Sequence, residues 1–406
     1  MKKRRSITVS RVDLADFYRD LHAHPELSGH EHRTAERIAA VLVPLGYEVT
    51  TGVGGTGIVA LLRNGDGPVV MLRADMDALP VEEKTGLPYA SKVPGVMHAC
   101  GHDMHVACLV GAAQLLIEAR AEWSGTLMLV FQPAEETAQG ARAMVADGLF
   151  ERFGKPDIVL GQHVGPLPAG MVGYGTGPVM AGADSVQVTL HGRGGHGSRP
   201  ETTVDPILMA ANVVTRLQGI VAREVPPAET AVVTVGRVHA GTKDNVIPDT
   251  AELGINMRTY SKQTHDLVRA AIERIVRAEA AASGAVKDPE FDWNDSAPVL
   301  VSDPEATART VAAFTGRFGA DKVMTMPVIT GSEDIGIFGE AAGVPTVFWF
   351  WGGLEFQVVM EAFQRGGMEA LPSNHSSVFA PVLEPTLTTG VDALRVAALT
   401  WLGTAS

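Results

Sequence analysis

The sequence predicts an α/β protein: one α/β domain, written in two segments, with a smaller ferredoxin-like β-α-β-β-α-β domain inserted. Three observations predict it. Short, nearly all-apolar runs alternate with helical stretches through the first part of the chain, as expected for strands buried on both faces. From about Ala183 the runs alternate apolar with polar instead, the mark of half-exposed strands. After Pro298 the first rhythm returns.

Asp13 to Leu45 reads as helical with a break at Pro25, since proline ends a helix at the preceding residue. Gly57–Leu62 and Val69–Ala74 read as strands, Asp103–Glu118 as a helix, Thr126–Phe131 as a strand, Gly140–Phe150 as a helix and Asp157–Gly161 as a strand. In the insert, Ser185–Leu190 is a strand, Asp205–Arg223 a long amphipathic helix, Thr230–Val238 and Thr250–Thr259 strands, Ser261–Ala282 a second long helix and Glu290–Trp293 a short strand. That order is the ferredoxin-like unit. Helices at Pro304–Phe318 and Ile335–Ala342, the strand Thr346–Trp351 and a final helix Leu387–Leu402 complete the outer domain. The expected boundaries are 1–183 and 298–406 for the outer domain and 184–297 for the insert. No internal repeat is apparent.

With 406 residues the chain exceeds one typical core, and with 46% hydrophobic and 19% charged residues it reads as globular throughout. A net charge of -13 argues against nucleic acid as a partner. Lys2-Lys3-Arg4-Arg5 opens like a signal peptide, but no apolar stretch follows, so a short solvated tail is expected. Apolar runs such as Val344–Trp351 are far too short to span a bilayer. Two cysteines, Cys100 and Cys108, make no disulfide framework and fit a reducing cytoplasm.

Polar residues gather at the expected strand ends, where open α/β sheets bind ligands. Asp75 and Asp77 end the Val69 run, Glu135 and Glu136 the Thr126 run, and His163 the Asp157 run. Cys100 and His102 stand at a helix start, and His375 lies in the loop before the last helix. Each alone has an ordinary explanation: a cysteine there is usually a small buried hydrophobe, and adjacent glutamates usually a solvated face. Together they supply thiolate, imidazole and carboxylate, the ligand types of borderline divalent metals. Of Glu135 and Glu136, one can ligate while the other faces a bound water as general base, the division that metal-assisted hydrolysis needs. A thiolate at Cys100 can bridge two ions, and five ligand candidates favour a two-metal site. In the insert, the glycine-rich Gly192–Pro200 turn presents His196 beside a comparable loop holding Asn245. His196 with Asn245 suits oxyanion donation, and Arg258 suits an acidic substrate group; the alternative is a plain hairpin closure and a surface charge.

Arg73–Pro80, His98–His105, Gln132–Glu136 and Gly331–Asp334 resemble the M20 metallopeptidase superfamily, and more closely its aminoacylase/hippurate hydrolase branch, whose opening motif matches Leu21–Ser28. The resemblance runs in order from about Leu21 to His375. It implies a di-metal catalytic domain with an inserted lid through which many members dimerise. It also implies Cys100, His102, Glu136, His163 and His375 as metal ligands, Glu135 as general base, and a His196 position that often completes the neighbouring subunit's site. The implied substrate is an N-acyl amino acid. The implied cofactor is two divalent ions per subunit, usually zinc, manganese, cobalt or nickel. The wider superfamily often has His-x-Asp where Asp75-Met76-Asp77 stands, so no ligand is carried onto Asp75, and Asp77 is expected to orient a ligand. The branch usually has proline where Ser377 stands. His98 and His105 are left outside the ligand set, as supporting or helix-surface residues. Competing readings are a dipeptidase or carboxypeptidase on the same site and a non-catalytic small-molecule binder.

Overall fold

The computed structural model describes residues 12–404, apart from 368 and 370. The basic tetrapeptide Lys2–Arg5 lies outside the described residues. The chain divides into two units, Met1–Val179 with Val301–Pro327 and Asp334–Ser406, and Met180–Leu300 with Val328–Glu333.

The first unit is a mixed α/β structure around a nine-stranded sheet. Its centre is parallel: Val69–Asp75 lies between Trp123–Gln132 and Ile158–Pro168, and Thr346–Leu354 continues beside Ile158–Pro168. These strands are almost wholly buried, and Thr346–Leu354 is buried at every position. Their continuous apolar runs follow from helices covering the sheet. Gly57–Asn64 and Glu48–Val53 extend one side antiparallel. Helix His102–Glu118 is buried over most of its length and packs against Leu383–Trp401. Gly390 allows that approach, because a Cβ there would lie 2.5 Å from Cys108 Sγ and 3.0 Å from Trp351.

Several segments differ from expectation. The Gly140–Phe150 helix is two, Gly140–Ala146 and Leu149–Phe153, parted at Gly148 with φ 81°. The Asp157 strand runs on to Pro168, so His163 lies inside a strand rather than after one. Glu48–Val53, Val172–Tyr174, Val323–Thr325 and helix Phe356–Arg365 were not expected.

The second unit carries a four-stranded antiparallel sheet in the order Ala231–Ala240, Thr250–Thr259, Gly182–His191, Lys287–Ala297. Thr250–Thr259 buries every second residue, so one face is core. Helices Pro206–Leu217 and Lys262–Ala282 supply the apolar side chains against it. Asp205 caps the first by accepting from the Ile207 N–H, and Ser261 caps the second by accepting from the Thr264 N–H. The Asp205–Arg223 helix is interrupted near Gln218, and Gly219–Arg223 follows as a separate turn. No helix among the described residues is long and apolar enough to cross a membrane.

Candidate metal centre

Cys100 ends the loop before helix His102–Glu118, and Gly101 caps that helix with φ 88°. A side chain at Gly101 would be strained and would meet Val164 Cγ1 at 2.5 Å. The tight turn therefore brings Cys100 and His102 to adjacent positions against the strand holding His163. Cys100 Sγ lies 3.4 Å from His163 Nε2. The His375 backbone, at φ 70°, is held by its N–H donating to Ala99 O at 2.8 Å. His375 Nε2 lies 3.3 Å from Glu136 Oε2. The five expected ligands thus come together.

They form two triads that share one sulfur. Cys100, His102 and His163 have ligand atoms mutually within 4.8 Å, and so do Cys100, Glu136 and His375. The polar accounting fits cations in both. His102 Nδ1 faces only acceptors, Asp77 O at 3.0 Å and Asp77 Oδ1 at 3.2 Å, so it carries the proton and leaves Nε2 free. His163 Nδ1 donates to Val164 O at 2.7 Å, which likewise frees Nε2. His102 Nε2 and Glu136 Oε1 are buried without a hydrogen-bond partner and lie 3.9 Å apart. Buried polar atoms without hydrogen-bond partners are costly unless a cation takes them up. The residues therefore fit divalent ions.

Glu135 Oε2 lies 3.9 Å from His102 Nε2, beside this set. Asp77 lies against His102, and its Oδ2 also accepts from Ser28 Oγ at 2.7 Å and from the Glu136 N–H at 3.1 Å. Although burial opposes it, His102, Ser28 and the Glu136 amide hold the Asp77 carboxyl below its usual range. Burial pushes the Cys100 thiol up and Glu136 adds to that. A divalent ion reverses this by stabilising thiolate.

Around these residues lie buried supports, His105 among them, which the sequence leaves as either a support or a helix-surface residue. His105 is not on the helix surface: it is buried, with Nδ1 on Asp75 Oδ1 and Nε2 accepting from the Val164 N–H at 3.0 Å. Both nitrogens are occupied, so although Asp75, His102 and His105 cluster, His105 is a support. Asp75 is likewise engaged, by Arg73 at 2.7 Å and by His105. His98 is also buried, and burial lowers its pKa to about 4, so it stays neutral. Asn374 Nδ2 donates to Cys100 O at 2.9 Å and Val164 O at 3.1 Å, tying three ligand-bearing segments together. Its only sequence signal is its place next to His375.

In the second unit, Gly195–His196 pairs with Val246–Ile247, and the Gly197 N–H donates to Asn245 O at 2.9 Å, so the structure brings the His196 and Asn245 loops together. Both residues are exposed. His196 Nδ1 accepts from the Ser198 N–H at 3.1 Å, which puts the imidazole proton on Nε2. Arg258 lies within strand Thr250–Thr259, and donates to Thr330 O at 2.6 Å and Ser332 Oγ at 3.2 Å.

The family model for peptidase family M20/M25/M40 matches residues 71–363. The chain belongs to this family. An M20 relative, the N-acetylcysteine deacetylase of Bacillus subtilis, is 41% identical over 332 residues, covering 78% of this chain and 86% of that protein. Thermostable carboxypeptidase 2 of Saccharolobus solfataricus is 39% identical over 339 residues, covering 82% and 84%. The crystal structure of the Bacillus subtilis YxeP protein, described as a dinuclear metal binding peptidase from the M20 family, superposes with a TM-score of 0.76 at 34% identity over 96% of this chain and 97% of that one.

Proposed function

We propose that this M20 protein is a metal-dependent amidohydrolase that cleaves N-acyl amino acids to a carboxylic acid and a free amino acid. The observation that carries the reading is the pair of triads sharing Cys100 with a further carboxylate, Glu135, beside them. Cys100, His102, Glu136, His163 and His375 would hold two divalent ions of zinc, manganese, cobalt or nickel type. Such ions supply Lewis acidity and acidify water. Glu135 accepts a proton from the attacking water and returns it to the leaving amine nitrogen as the C–N bond breaks. Asp77 keeps His102 in its Nδ1–H form throughout. His196, protonated on Nε2, donates to the developing oxyanion with Asn245 nearby. Arg258 binds the substrate carboxylate once its present partners are displaced.

The deacetylase relative supports the N-acyl substrate and the YxeP structure supports two ions. The second unit, 184–297 as expected from the sequence, serves as a lid and dimerisation domain on this reading; its strand order and two helices support the ferredoxin-like topology. The reading includes a homodimer, and a cytoplasmic location, for which two free cysteines fit a reducing compartment. The carboxypeptidase relative favours a second reading, peptide cleavage at the same centre.

The test is amine release from N-acetyl, N-benzoyl and longer N-acyl amino acids and from dipeptides, with chelator-stripped protein and added metal. Metal-dependent release from N-acyl amino acids is expected. Higher kcat/KM on dipeptides would transfer the protein to the second reading, and no release at confirmed metal loading would reject both.

A further inference from the structure

The opening segment Glu26–Glu31 lies far in sequence from every ligand, yet it reaches the two loops that aim Glu135, Glu136 and His102. Ser28 Oγ holds Asp77, as described. Glu31 does more. Its carboxylate is fully buried, at 0% exposure, and its partners are neutral donors. Gly29 N–H donates to Oε1 at 2.8 Å, Thr56 Oγ donates to Oε2, and the Ala134 N–H donates to Oε1 at 2.9 Å.

Ala134 immediately precedes Glu135 and has φ 50°, a left-handed conformation that a non-glycine residue keeps only when held. Its carbonyl is held on the other side by the Gly140 N–H at 3.1 Å, the Gln139 N–H at 3.3 Å and Thr137 Oγ at 3.2 Å. A Cβ at Gly140 would come within 1.6 Å of Pro133 O, so the loop closes too tightly for any other residue there. These local bonds close the loop on itself. Glu31 ties the Ala134 amide to another part of the chain, as Arg73 and Asp334 tie Gln132 and Asp77 ties the Glu136 amide; a buried carboxylate is costly unless its acceptor sites are used.

We infer that Glu31 is a positioning residue for catalysis: by fixing the Ala134 amide it sets the direction in which Glu135 leaves the loop. The inference rests on the reading of Glu135 as general base. Glu31 touches no substrate; it acts through one backbone bond.

The experiment compares Glu31→Ala, Glu31→Asp and Glu31→Gln on metal-loaded, folded protein. It reads kcat, KM, bound metal per subunit, and hydrogen exchange in the peptide spanning 131–140. The aspartate retains the carboxylate but is one methylene too short to keep the Ala134 bond. The glutamine oxygen can keep both backbone bonds. For the alanine and aspartate variants, kcat is expected to fall roughly tenfold or more, since small misplacements of a reacting group carry such costs. KM and metal content stay near wild type, and protection in 131–140 is lost. The glutamine variant restores both kcat and protection.

A wild-type kcat in Glu31→Asp, or a glutamine variant as impaired as alanine, overturns the inference. So does unchanged exchange in 131–140. If Glu31→Ala does not fold, the aspartate and glutamine variants decide the matter. If wild-type protein hydrolyses none of the substrates, the function reading fails on its own, while exchange still reports whether Glu31 holds the loop.

Discussion

Glu135 and Glu136 are chemically identical neighbours, and the separate duties proposed for them rest on where each carboxylate lies. Both carboxylates reach 3.9 Å from His102 Nε2, but of the two Glu136 also approaches His375, at 3.3 Å, and groups with Cys100 and His375. Replacing Glu135 by Gln keeps size but removes the basic lone pair. Metal content should be unchanged and kcat should fall by about 10² to 10⁴, the usual contribution of a positioned base. Metal analysis beside steady-state kinetics checks this, and an unaltered kcat would remove Glu135 from the role. Gly101→Ala tests the turn that juxtaposes Cys100 and His102. The side chain would combine an unfavourable φ with a 2.5 Å clash on Val164 Cγ1, so reduced metal content and a loss of at least about 1 kcal/mol of stability are expected. Native metal load and wild-type urea midpoint would contradict the geometry. At this scale the ligand types are legible in sequence because thiolate, imidazole and carboxylate declare their chemistry. Ser28, Glu31, Arg73 and Asn374 are not, because a serine or asparagine acquires its role only from a partner dozens to hundreds of residues away.

Between elements, the first helix is fastened to the ligand-bearing helix by one buried imidazole. His22 ends Leu14–His22 and places Nδ1 2.6 Å from Asp103 Oδ2 and Nε2 3.2 Å from Glu83 Oε1, so the ring bridges a helix and the long 79–97 loop. Burial alone would lower its pKa, but Asp103 and then Glu83 raise it to about 10, while Asp103 itself is held low against its own burial by His98, once acid charges that ring, and by His22. The stability from His22 is therefore complete below its unfolded pKa near 6.5 and is lost as pH rises through about 10. That from Asp103 is present above the ordinary carboxylate range and is lost as pH falls through the lowered folded value. His22→Gln should cost about 3–5 kcal/mol at pH 7, because two buried carboxylates lose their cation. It should also flatten the wild-type decline between neutral pH and about pH 10.5. Urea unfolding at both pH values measures this; equal declines in the two proteins would show that His22 is not the titrating staple. Elements such as Pro304–Phe318 and Thr250–Thr259 are legible because a buried face imposes a period on the sequence. Glu48–Val53 is not, since an edge strand with mostly exposed side chains leaves no such pattern. Phe356–Arg365 does carry a helical period, with apolar residues at Phe356, Val359, Met360 and Phe363, although only Val359 is buried, so it is legible in the sequence though not among the expected elements. The strand Ile158–Pro168 is read short because Gly161 and Gly165 look like its end, when Gly161 is there to admit Ile335.

For the whole molecule, the metal centre couples folding to pH. The first unit closes its sheet and its buried helix around atoms that have no hydrogen-bond partner, His102 Nε2 and Glu136 Oε1, so the folded chain bears a desolvation cost that bound cations relieve. Protons occupy part of the same set without metal. His375 is pushed up to about 10 by its hydrogen bonds to Cys100 and Glu136, and the Cys100 thiol is raised by burial and Glu136. At pH 7 both sites therefore hold protons that a cation must displace, and metal affinity must rise with pH. Titration of stripped protein with zinc in two buffers of different ionisation enthalpy should give different apparent heats, from which net proton release follows. The same loading should raise the thermal midpoint, with stabilisation approaching about 4 kcal/mol when free metal exceeds its Kd by about a thousandfold. Chelation should reverse it. The two readouts constrain each other. A large thermal shift with buffer-independent heat would place the ions on groups already deprotonated, away from Cys100 and His375. Proton release without any thermal shift would mean that the metal binds the unfolded chain as well as the folded one. Only the two effects together, both diminished in His375→Ala, match a centre that trades its protons for cations when it is filled.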